Sequence, residues 1–160
     1  MSNHEGGCLC GALRYATTGE PARIVYCHCR FCQRATGGAY LVELMYAKTN
    51  FRVTQGRPAT YSLISAGSGK RVTINFCVTC GTKLFLDLER MPDDIGLYAG
   101  TLDDPNWWAR DAARSKHIFF DMAQRGVVIP PHVSVFHEHV VSRTGEPQTC
   151  LMFDAPHCVD

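Results

Sequence analysis

Seven of the nine cysteines in this 160-residue chain fall into three tight clusters. The clusters are Cys8-x-Cys10, Cys27-x-Cys29-x2-Cys32 and Cys77-x2-Cys80. Thiolates are soft ligands that suit zinc, and a tetrahedral ion needs several of them converging from short range. Seven thiols are one short of two closed four-thiolate sites. The pattern therefore predicts two zinc ions, one fully ligated by protein and one with the open position that metal catalysis requires.

The two outer pairs are predicted to share a structural zinc. Each pair lies on a tight turn that is followed by a glycine, Gly11 in the first case and Gly81 in the second. A glycine relieves backbone crowding where amides turn toward sulfur. The alternative is buried free thiols, which are common as single residues but not as two pairs that are each followed by a glycine. The predicted ligands of this structural zinc are Cys8, Cys10, Cys77 and Cys80.

The middle cluster, Cys27, Cys29 and Cys32, is predicted to hold the open zinc. No fourth cysteine lies close to it in sequence, so the fourth ligand could be water, a substrate thiol, or a distant side chain such as His117 or Cys150. An open zinc can bind a thiol and lower its pKa, or polarise a carbonyl group. The three cysteines are therefore the first candidates for a catalytic site.

His28 lies between two of these cysteines and is the fourth catalytic candidate. It could shuttle a proton or orient substrate, or it could be a surface residue held by the local backbone. Two other groups have plainer interpretations. His137-x-His139 has metal-like spacing but is interpreted as a solvent-facing pair. Trp107-Trp108 could wall a substrate pocket, although core or interface packing is the preferred interpretation.

The remaining cysteines, Cys150 and Cys158, lack partners at metal spacing and are interpreted as ordinary thiols. The formal net charge of +1 argues against a nucleic-acid partner. The N-terminus has no apolar core of a signal peptide, and no run approaches the roughly 18 apolar residues of a membrane span. We therefore expect a cytoplasmic protein with no membrane partner, in which close cysteines are more often metal ligands than disulfides.

Short segments separated by glycine and proline predict a mainly β fold with few short helices. We expect one domain over residues 1–160, built of small antiparallel sheets organised around zinc knuckles. Residues 30–36 and 103–113 are predicted to form short helices, and residues 51–64 to form a hairpin. The predicted strands are residues 11–17, 23–26, 39–46, 51–54, 59–64, 71–76, 83–88, 95–99, 117–122 and 133–141.

Four stretches of the chain resemble the glutathione-dependent formaldehyde-activating enzyme family, which also includes centromere protein V. They are residues 6–15 (GGCLCGALRY), 27–33 (CHCRFCQ), 76–82 (FCVTCGT) and 100–104 (GTLDD). Their order and spacing agree with the family over about residues 5–120. Because three cysteine motifs in series are specific, the chain is identified as a member of this family.

The resemblance implies a β-rich, Mss-four-like fold. It also implies a structural zinc on the two outer cysteine pairs and a second zinc on the middle cluster, with its fourth place open to a thiol. The family's activity joins formaldehyde to glutathione to give S-hydroxymethylglutathione, formally a carbon–sulfur lyase reaction run backward. The resemblance weakens after Ile118, and the segment from Val133 onward matches no family pattern, so fold and zinc carry over more directly than the identity of the thiol.

Three functional hypotheses follow from these residues. The leading hypothesis is an enzyme that adds a small, glutathione-like thiol to a small aldehyde such as formaldehyde. The second is a non-catalytic zinc-binding module for protein partners, which a closed fourth ligand on the second zinc would favour. The third is a redox or metal-buffering role for the middle cluster, whose sign would be zinc loss and disulfide formation under mild oxidant.

Overall fold

The computed structural model describes residues 3–160, and it is built mainly from short strands. The strands are β1 (Asn3–Gly7), β2 (Arg14–Thr18), β3 (Arg23–Cys27), β4 (Leu41–Ala47), β5 (Phe51–Gln55), β6 (Ala59–Ile64), β7 (Arg71–Phe76), β8 (Lys83–Leu88), β9 (Asp94–Tyr98), β10 (Ser115–Ile118), β11 (Val128–Ile129), β12 (Ser134–Val135) and β13 (His157–Cys158). The helix α1 spans Arg30–Thr36, and 3-10 turns cover Lys48–Asn50, Ala99–Thr101 and Phe120–Met122. The prediction of a mainly β fold with few short helices is confirmed.

The chain divides into two compact units, one made of residues 3–22 and 43–109 and the other of residues 23–42 and 110–160. The single domain expected over residues 1–160 stays a prediction, and its first two residues lie outside the described part of the chain. The two outer cysteine pairs lie in the first unit, and the middle cluster lies in the second.

The unit of residues 3–22 and 43–109 contains two antiparallel sheets. The first has the order β1-β2-β5, and the second runs β4-β9-β8-β7-β6, with residues 43–47 of β4 in this unit. Its central strands are buried on both faces, since successive side chains of a strand point to opposite faces and Leu84, Phe85 and Leu86 are all buried. Its most buried apolar side chains include Leu13, Tyr15, Leu44, Leu84, Leu86 and Leu97.

The unit of residues 23–42 and 110–160 is built around β10, which pairs in parallel with both β3 and β12. This pairing departs from the expected antiparallel arrangement. Parallel strands need a long connection, and the chain between β3 and β10 supplies one of nearly ninety residues. β11 and β13 form a small antiparallel pair, and α1 follows β3 directly. Ile24, Ile129 and Val135 are fully buried here.

Several predicted elements differ from the observed ones. The predicted hairpin over residues 51–64 is wrong, because β5 pairs with β2 and β6 pairs with β7. The predicted helix at 103–113 is also wrong. There the carboxylate of Asp104 accepts a hydrogen bond from the Asn106 amide at 2.9 Å, and that of Asp111 accepts one from the Arg114 amide at 2.8 Å. Such side-chain turns compete with helix formation.

Two predicted strands are much shorter than expected, and three short strands, β1, β11 and β13, were not predicted. The strand expected at 117–122 ends at Ile118, because Phe119 has a left-handed backbone (φ 57°) and a 3-10 turn follows. Only Ser134–Val135 of the expected strand 133–141 is paired. β1 was not predicted, since its sequence NHEGG carries no apolar alternation. It is held by full antiparallel pairing with β2.

Candidate functional site

Cys8, Cys10, Cys77 and Cys80 form what we call the four-cysteine cluster, within the unit of residues 3–22 and 43–109. One pair lies on the turn between β1 and β2, and the other on the turn between β7 and β8. The two turns are built alike. Gly11 donates its amide to the Cys8 carbonyl at 3.0 Å, and Gly81 donates to the Cys77 carbonyl at 2.8 Å. Both glycines have φ +73°, a left-handed conformation that side chains rarely adopt.

The sulfur atoms of the four-cysteine cluster all lie within 4.8 Å of one another. Cys10 Sγ is 3.5 Å from Cys8 Sγ and 3.7 Å from Cys77 Sγ. Thiolates about 2.3 Å from a tetrahedral zinc stand about 3.8 Å apart. The donor set therefore fits a tetrahedral thiophilic ion such as zinc.

A hydroxyl group links the two turns of the four-cysteine cluster. Thr82 Oγ1 lies 3.2 Å from Cys80 Sγ and accepts a hydrogen bond from the Leu9 amide at 3.2 Å. This contact with Thr82 is the main reason that the pKa of Cys80 is lowered to about 5. Burial alone would raise the pKa of Cys8, but amide and thiol hydrogen bonds, led by that of Leu13, bring it below its usual value. Both effects favour the thiolate form that a metal binds.

Cys27, Cys29 and Cys32 form the three-cysteine cluster, in the unit of residues 23–42 and 110–160. Cys27 ends β3, Cys29 is the N-cap of α1, and Cys32 lies in the first turn of that helix. Their sulfur atoms lie within 4.8 Å of one another. Across residues 3–160, no fourth ligand atom of a cysteine, histidine, aspartate or glutamate joins this group. The cluster thus offers a metal three protein donors.

The three thiols of this cluster differ in their ionisation. Hydrogen bonds from Cys27 and Cys32 lower the pKa of Cys29 to about 3. The neighbouring thiolate raises the pKa of Cys27, and thiol contacts with burial raise that of Cys32. At pH 7 the cluster therefore holds one thiolate and two thiols, which would have to lose their protons to bind a metal.

His28 is fully buried, which corrects the alternative that placed it on the surface. Its Nε2 lies 2.9 Å from Nδ1 of His117, another buried side chain. Burial lowers the pKa of each histidine to about 4, so both imidazoles are neutral at pH 7. One of the two facing nitrogens donates and the other accepts, which leaves His28 Nδ1 and His117 Nε2 as the outer ends of a two-imidazole chain.

Gln33 holds the backbone around His28 in place. Its side-chain amide donates to the carbonyl of His28 at 2.6 Å and to that of Met122 at 2.8 Å. Its carbonyl oxygen accepts hydrogen bonds from Gln124, at 3.2 Å, and from Arg30. These contacts tie the end of β3 to the segment that follows β10. Gln33 was not singled out from the sequence, since its partners come from distant positions.

In residues 3–160, none of the other cysteine and histidine candidates joins either cluster as a potential metal ligand. His137 is exposed and pairs with Asp121 at 2.6 Å, consistent with a solvent-facing residue. Cys150 and Cys158 are exposed, and in the described chain neither belongs to a group of potential metal ligands. Trp108 is buried, and Trp107 stacks on the His4 ring at a centroid distance of 3.4 Å. The packing interpretation of this aromatic pair is the one that the structure supports.

Two comparisons relate the chain to known proteins. Residues 3–122 match the family model of the glutathione-dependent formaldehyde-activating enzymes. A crystal structure of a Rhodobacter sphaeroides protein superimposes with a TM-score of 0.51 at 22% sequence identity, covering 62% of this chain and 87% of that one. At this identity the likeness concerns the fold alone. In residues 3–160, no helix is both long and apolar enough to cross a membrane.

Fold and clusters together define a mainly β protein with two cysteine sites that could bind metal ions. The family match covers three quarters of the chain and includes all seven clustered cysteines. The chain belongs to the glutathione-dependent formaldehyde-activating enzyme family, as its cysteine motifs predicted.

Proposed function

We propose that this protein is a zinc-dependent enzyme of the carbon–sulfur lyase type, which adds a small glutathione-like thiol to a small aldehyde such as formaldehyde. Zinc at the four-cysteine cluster is structural in this proposal, and zinc at the three-cysteine cluster is catalytic. We place the reaction in the cytoplasm, where seven clustered thiols stay reduced.

The proposal rests on one observation, the different number of sulfur ligands in the two clusters. One brings four sulfur atoms together, and the other brings three, with no fourth protein ligand atom beside them in residues 3–160. A tetrahedral ion on three protein donors retains a place for an exchangeable ligand, which is the arrangement of catalytic rather than structural zinc sites.

The reaction itself needs no oxidant or reductant. The thiol sulfur attacks the aldehyde carbon, a carbon–sulfur bond forms, and the π electrons of the carbonyl group move to oxygen. The thiol proton is lost, and one proton is gained by that oxygen. When bound, zinc would supply Lewis acidity that favours the ionised thiol.

We assign proton transfer to His28, which acts together with the hydrogen-bonded His117. Because both imidazoles are neutral at pH 7, the pair can take up a proton at one outer nitrogen and release one at the other. His28 is placed next to the cysteines by the chain itself, between Cys27 and Cys29. The three cysteines and His28 are thus the proposed catalytic residues.

A non-catalytic zinc-binding module is the alternative, and one observation favours it. Leu9 and Val78 stand at the tips of the two turns of the four-cysteine cluster, and they are 90% and 77% exposed. Apolar side chains in such positions often contact other proteins. In this alternative both zinc ions are structural, and the turn tips contact a protein partner.

The distinguishing experiment compares Cys29→Ser with Cys150→Ser, an exposed cysteine outside both clusters. Exchange between free formaldehyde and its glutathione adduct is followed by exchange NMR against the spontaneous rate, and bound zinc is counted by native mass spectrometry. We expect catalysed exchange and two zinc ions in the wild type and in Cys150→Ser. Cys29→Ser should keep its circular dichroism spectrum while its exchange falls to the spontaneous rate.

Normal turnover in folded Cys29→Ser protein would refute the proposed site. The binding module would be favoured by a wild-type protein that holds two zinc ions but accelerates no exchange. Its zinc–sulfur spectrum would also not change with added thiol.

A further inference from the structure

Gln33 is a buried polar side chain of α1, 4% exposed and next to Cys32 in the chain. We propose that Gln33 is a positioning residue of the three-cysteine cluster, which holds the three sulfur atoms in the arrangement that binds one metal ion. The inference rests on the metal that the proposed function assigns to this cluster. It does not depend on the thiol–aldehyde reaction.

The three cysteines come from three kinds of backbone, so their convergence has to be maintained. Cys27 ends β3, Cys29 is an extended N-cap residue with φ −62° and ψ 154°, and Cys32 belongs to α1. His28 lies between the first two, and its carbonyl group is part of the peptide unit that joins it to Cys29. A rotation of this peptide unit would swing Cys29 away from Cys27. The orientation of the His28 carbonyl group therefore controls how closely two of the sulfur atoms approach.

The side-chain amide of Gln33 holds this carbonyl group. Its Nε2 donates to the His28 carbonyl at 2.6 Å and to the Met122 carbonyl at 2.8 Å. A side-chain amide has two N–H donors, so both contacts can be made at once. The second contact anchors Gln33 to the segment after β10, 89 positions away in the chain. One side chain thus joins the peptide between two cysteines to a distant part of the same unit.

The orientation of the Gln33 amide is itself determined by its partners. Its Oε1 accepts a hydrogen bond from Gln124 Nε2 at 3.2 Å and another from the guanidinium of Arg30. A reversed amide would bring its oxygen toward two carbonyl oxygens and its nitrogen toward two donors. Because the bond to the His28 carbonyl is buried, loss of the Gln33 donor disfavours the native orientation of that peptide unit.

The backbone contacts around the cluster do not involve the Gln33 side chain. The His28 amide donates to the Ile118 carbonyl at 3.0 Å, and the backbone amide of Gln33 donates to the Cys29 carbonyl at 3.0 Å. The Cys32 amide donates to Cys29 Sγ at 3.4 Å. A substitution at Gln33 leaves these bonds in place, so we expect its variants to fold and to lose chiefly the orientation of one peptide unit.

Two substitutions separate the role of the donor from that of the side-chain volume. Gln33→Glu keeps the shape and the two acceptor contacts, but its carboxylate cannot donate to the two carbonyl groups and repels them. Gln33→Met keeps the volume and removes all four contacts. Groups that orient metal ligands typically change metal affinity about 10- to 100-fold. We expect zinc retention at the three-cysteine cluster to be about 100-fold weaker in Gln33→Glu and about tenfold weaker in Gln33→Met.

Metal retention is measured for each cluster separately. Zinc-loaded protein is equilibrated with graded amounts of a chelator, free thiols are alkylated briefly, and mass spectrometry quantifies the peptides that carry residues 27–32 and 77–80. Only the peptide of residues 27–32 should become more reactive in the Gln33 variants. Cobalt(II) in place of zinc adds a spectroscopic signature, since its visible absorption follows the ligand geometry and should change in Gln33→Glu.

Two kinds of control variant accompany the Gln33 series. Gln148→Glu and Gln148→Met make the same changes at an exposed glutamine of the same unit and should alter neither readout. Val128→Ala changes the segment after Met122 at a residue that is 57% exposed and that lines a cavity of about 260 Å³ beside β10. No residue of α1 lines this cavity, so Val128→Ala should retain zinc as the wild type does.

Unchanged zinc retention in both Gln33 variants would overturn the inference and leave the catalytic proposal standing. Equal losses at both clusters, or equal losses in the Gln148 or Val128 variants, would show a general effect on the fold and would also overturn it. Ready alkylation of residues 27–32 in fully zinc-loaded wild-type protein would overturn the inference and the proposed catalytic zinc together. Because no substrate is present, a protein that catalyses no reaction can still show the expected result.

Discussion

The two cysteine clusters should contribute very differently to stability, because they close loops of different length. We compare two double variants of the zinc-loaded protein, Cys77→Ser with Cys80→Ser, and Cys29→Ser with Cys32→Ser. Each double variant removes one buried and one half-buried thiol, so the direct cost of the substitutions is matched. What differs is the cross-link that is lost.

The magnitude follows from the chain separation. Cys10 and Cys77, whose sulfur atoms are 3.7 Å apart, are separated by 67 positions. In the chain-entropy treatment, a cross-link over such a loop is worth about 4.4 kcal/mol. The three-cysteine cluster spans only residues 27–32, and the same treatment gives about 2 kcal/mol. Removing Cys77 and Cys80 should therefore lower the free energy of unfolding by about 2 kcal/mol more.

The assay is urea unfolding followed by far-ultraviolet circular dichroism at a fixed excess of zinc. Unfolding midpoints and slopes give the free energy of unfolding of each double variant. Equal losses in the two variants, or a larger loss on removal of Cys29 and Cys32, would show that the four-cysteine cluster does not cross-link the chain through a metal.

Three further predictions concern the three-cysteine cluster, the buried His117 and the Thr82 hydroxyl beside the four-cysteine cluster. Cys29 is already ionised at pH 7, so metal binding to the three-cysteine cluster should release two protons, and the metal affinity should rise about 100-fold per pH unit. Calorimetry in buffers of different ionisation enthalpy measures the number of protons released. Release of none or three would contradict the prediction. The pKa of His117 is lowered to about 4 by burial, so the unfolded chain binds more protons between pH 6.5 and pH 4, and stability is lost as pH falls through that window. His117→Gln should remove about 3 kcal/mol of this acid dependence in urea unfolding, and a pH profile identical to that of the wild type would refute the assignment. Thr82→Val should weaken metal retention by the four-cysteine cluster about tenfold in a chelator competition, because its hydroxyl contacts Cys80. Thr79→Val, at an exposed position of the same turn, should not weaken it. Weaker metal retention in both variants would indicate a general effect on the turn.

Features with a local cause could be predicted from the sequence. The strands at residues 59–64, 71–76 and 83–88 have the expected bounds because each segment lies between turn residues that the sequence shows. Each outer cysteine pair precedes a glycine, and that glycine provides the left-handed residue that the cysteine turn requires. The short helix at residues 30–36 ends at Gly37, a stop that the sequence shows, whereas its side-chain cap at Cys29 was not expected from the sequence.

Features that depend on distant contacts could not be predicted. His28 seemed equally suited to the surface, and only its pairing with His117, 89 positions away, makes it a buried residue. The parallel pairing of β10 was likewise invisible, since the alternation of a strand does not specify the direction of its neighbour.

The boundary of the family match runs through the cavity beside β10. The match ends at residue 122, so Tyr26, Ser115 and His117 belong to the part of the chain that other members can share. The aliphatic side of the cavity comes largely from Val128, Pro130, Pro131 and Val133, which lie beyond that boundary. Relatives can thus inherit the same polar groups and the same cysteines while facing them with a different hydrocarbon surface. Exchange of the segment after residue 122 between members would then change the apolar lining of this cavity, with the seven clustered cysteines left untouched.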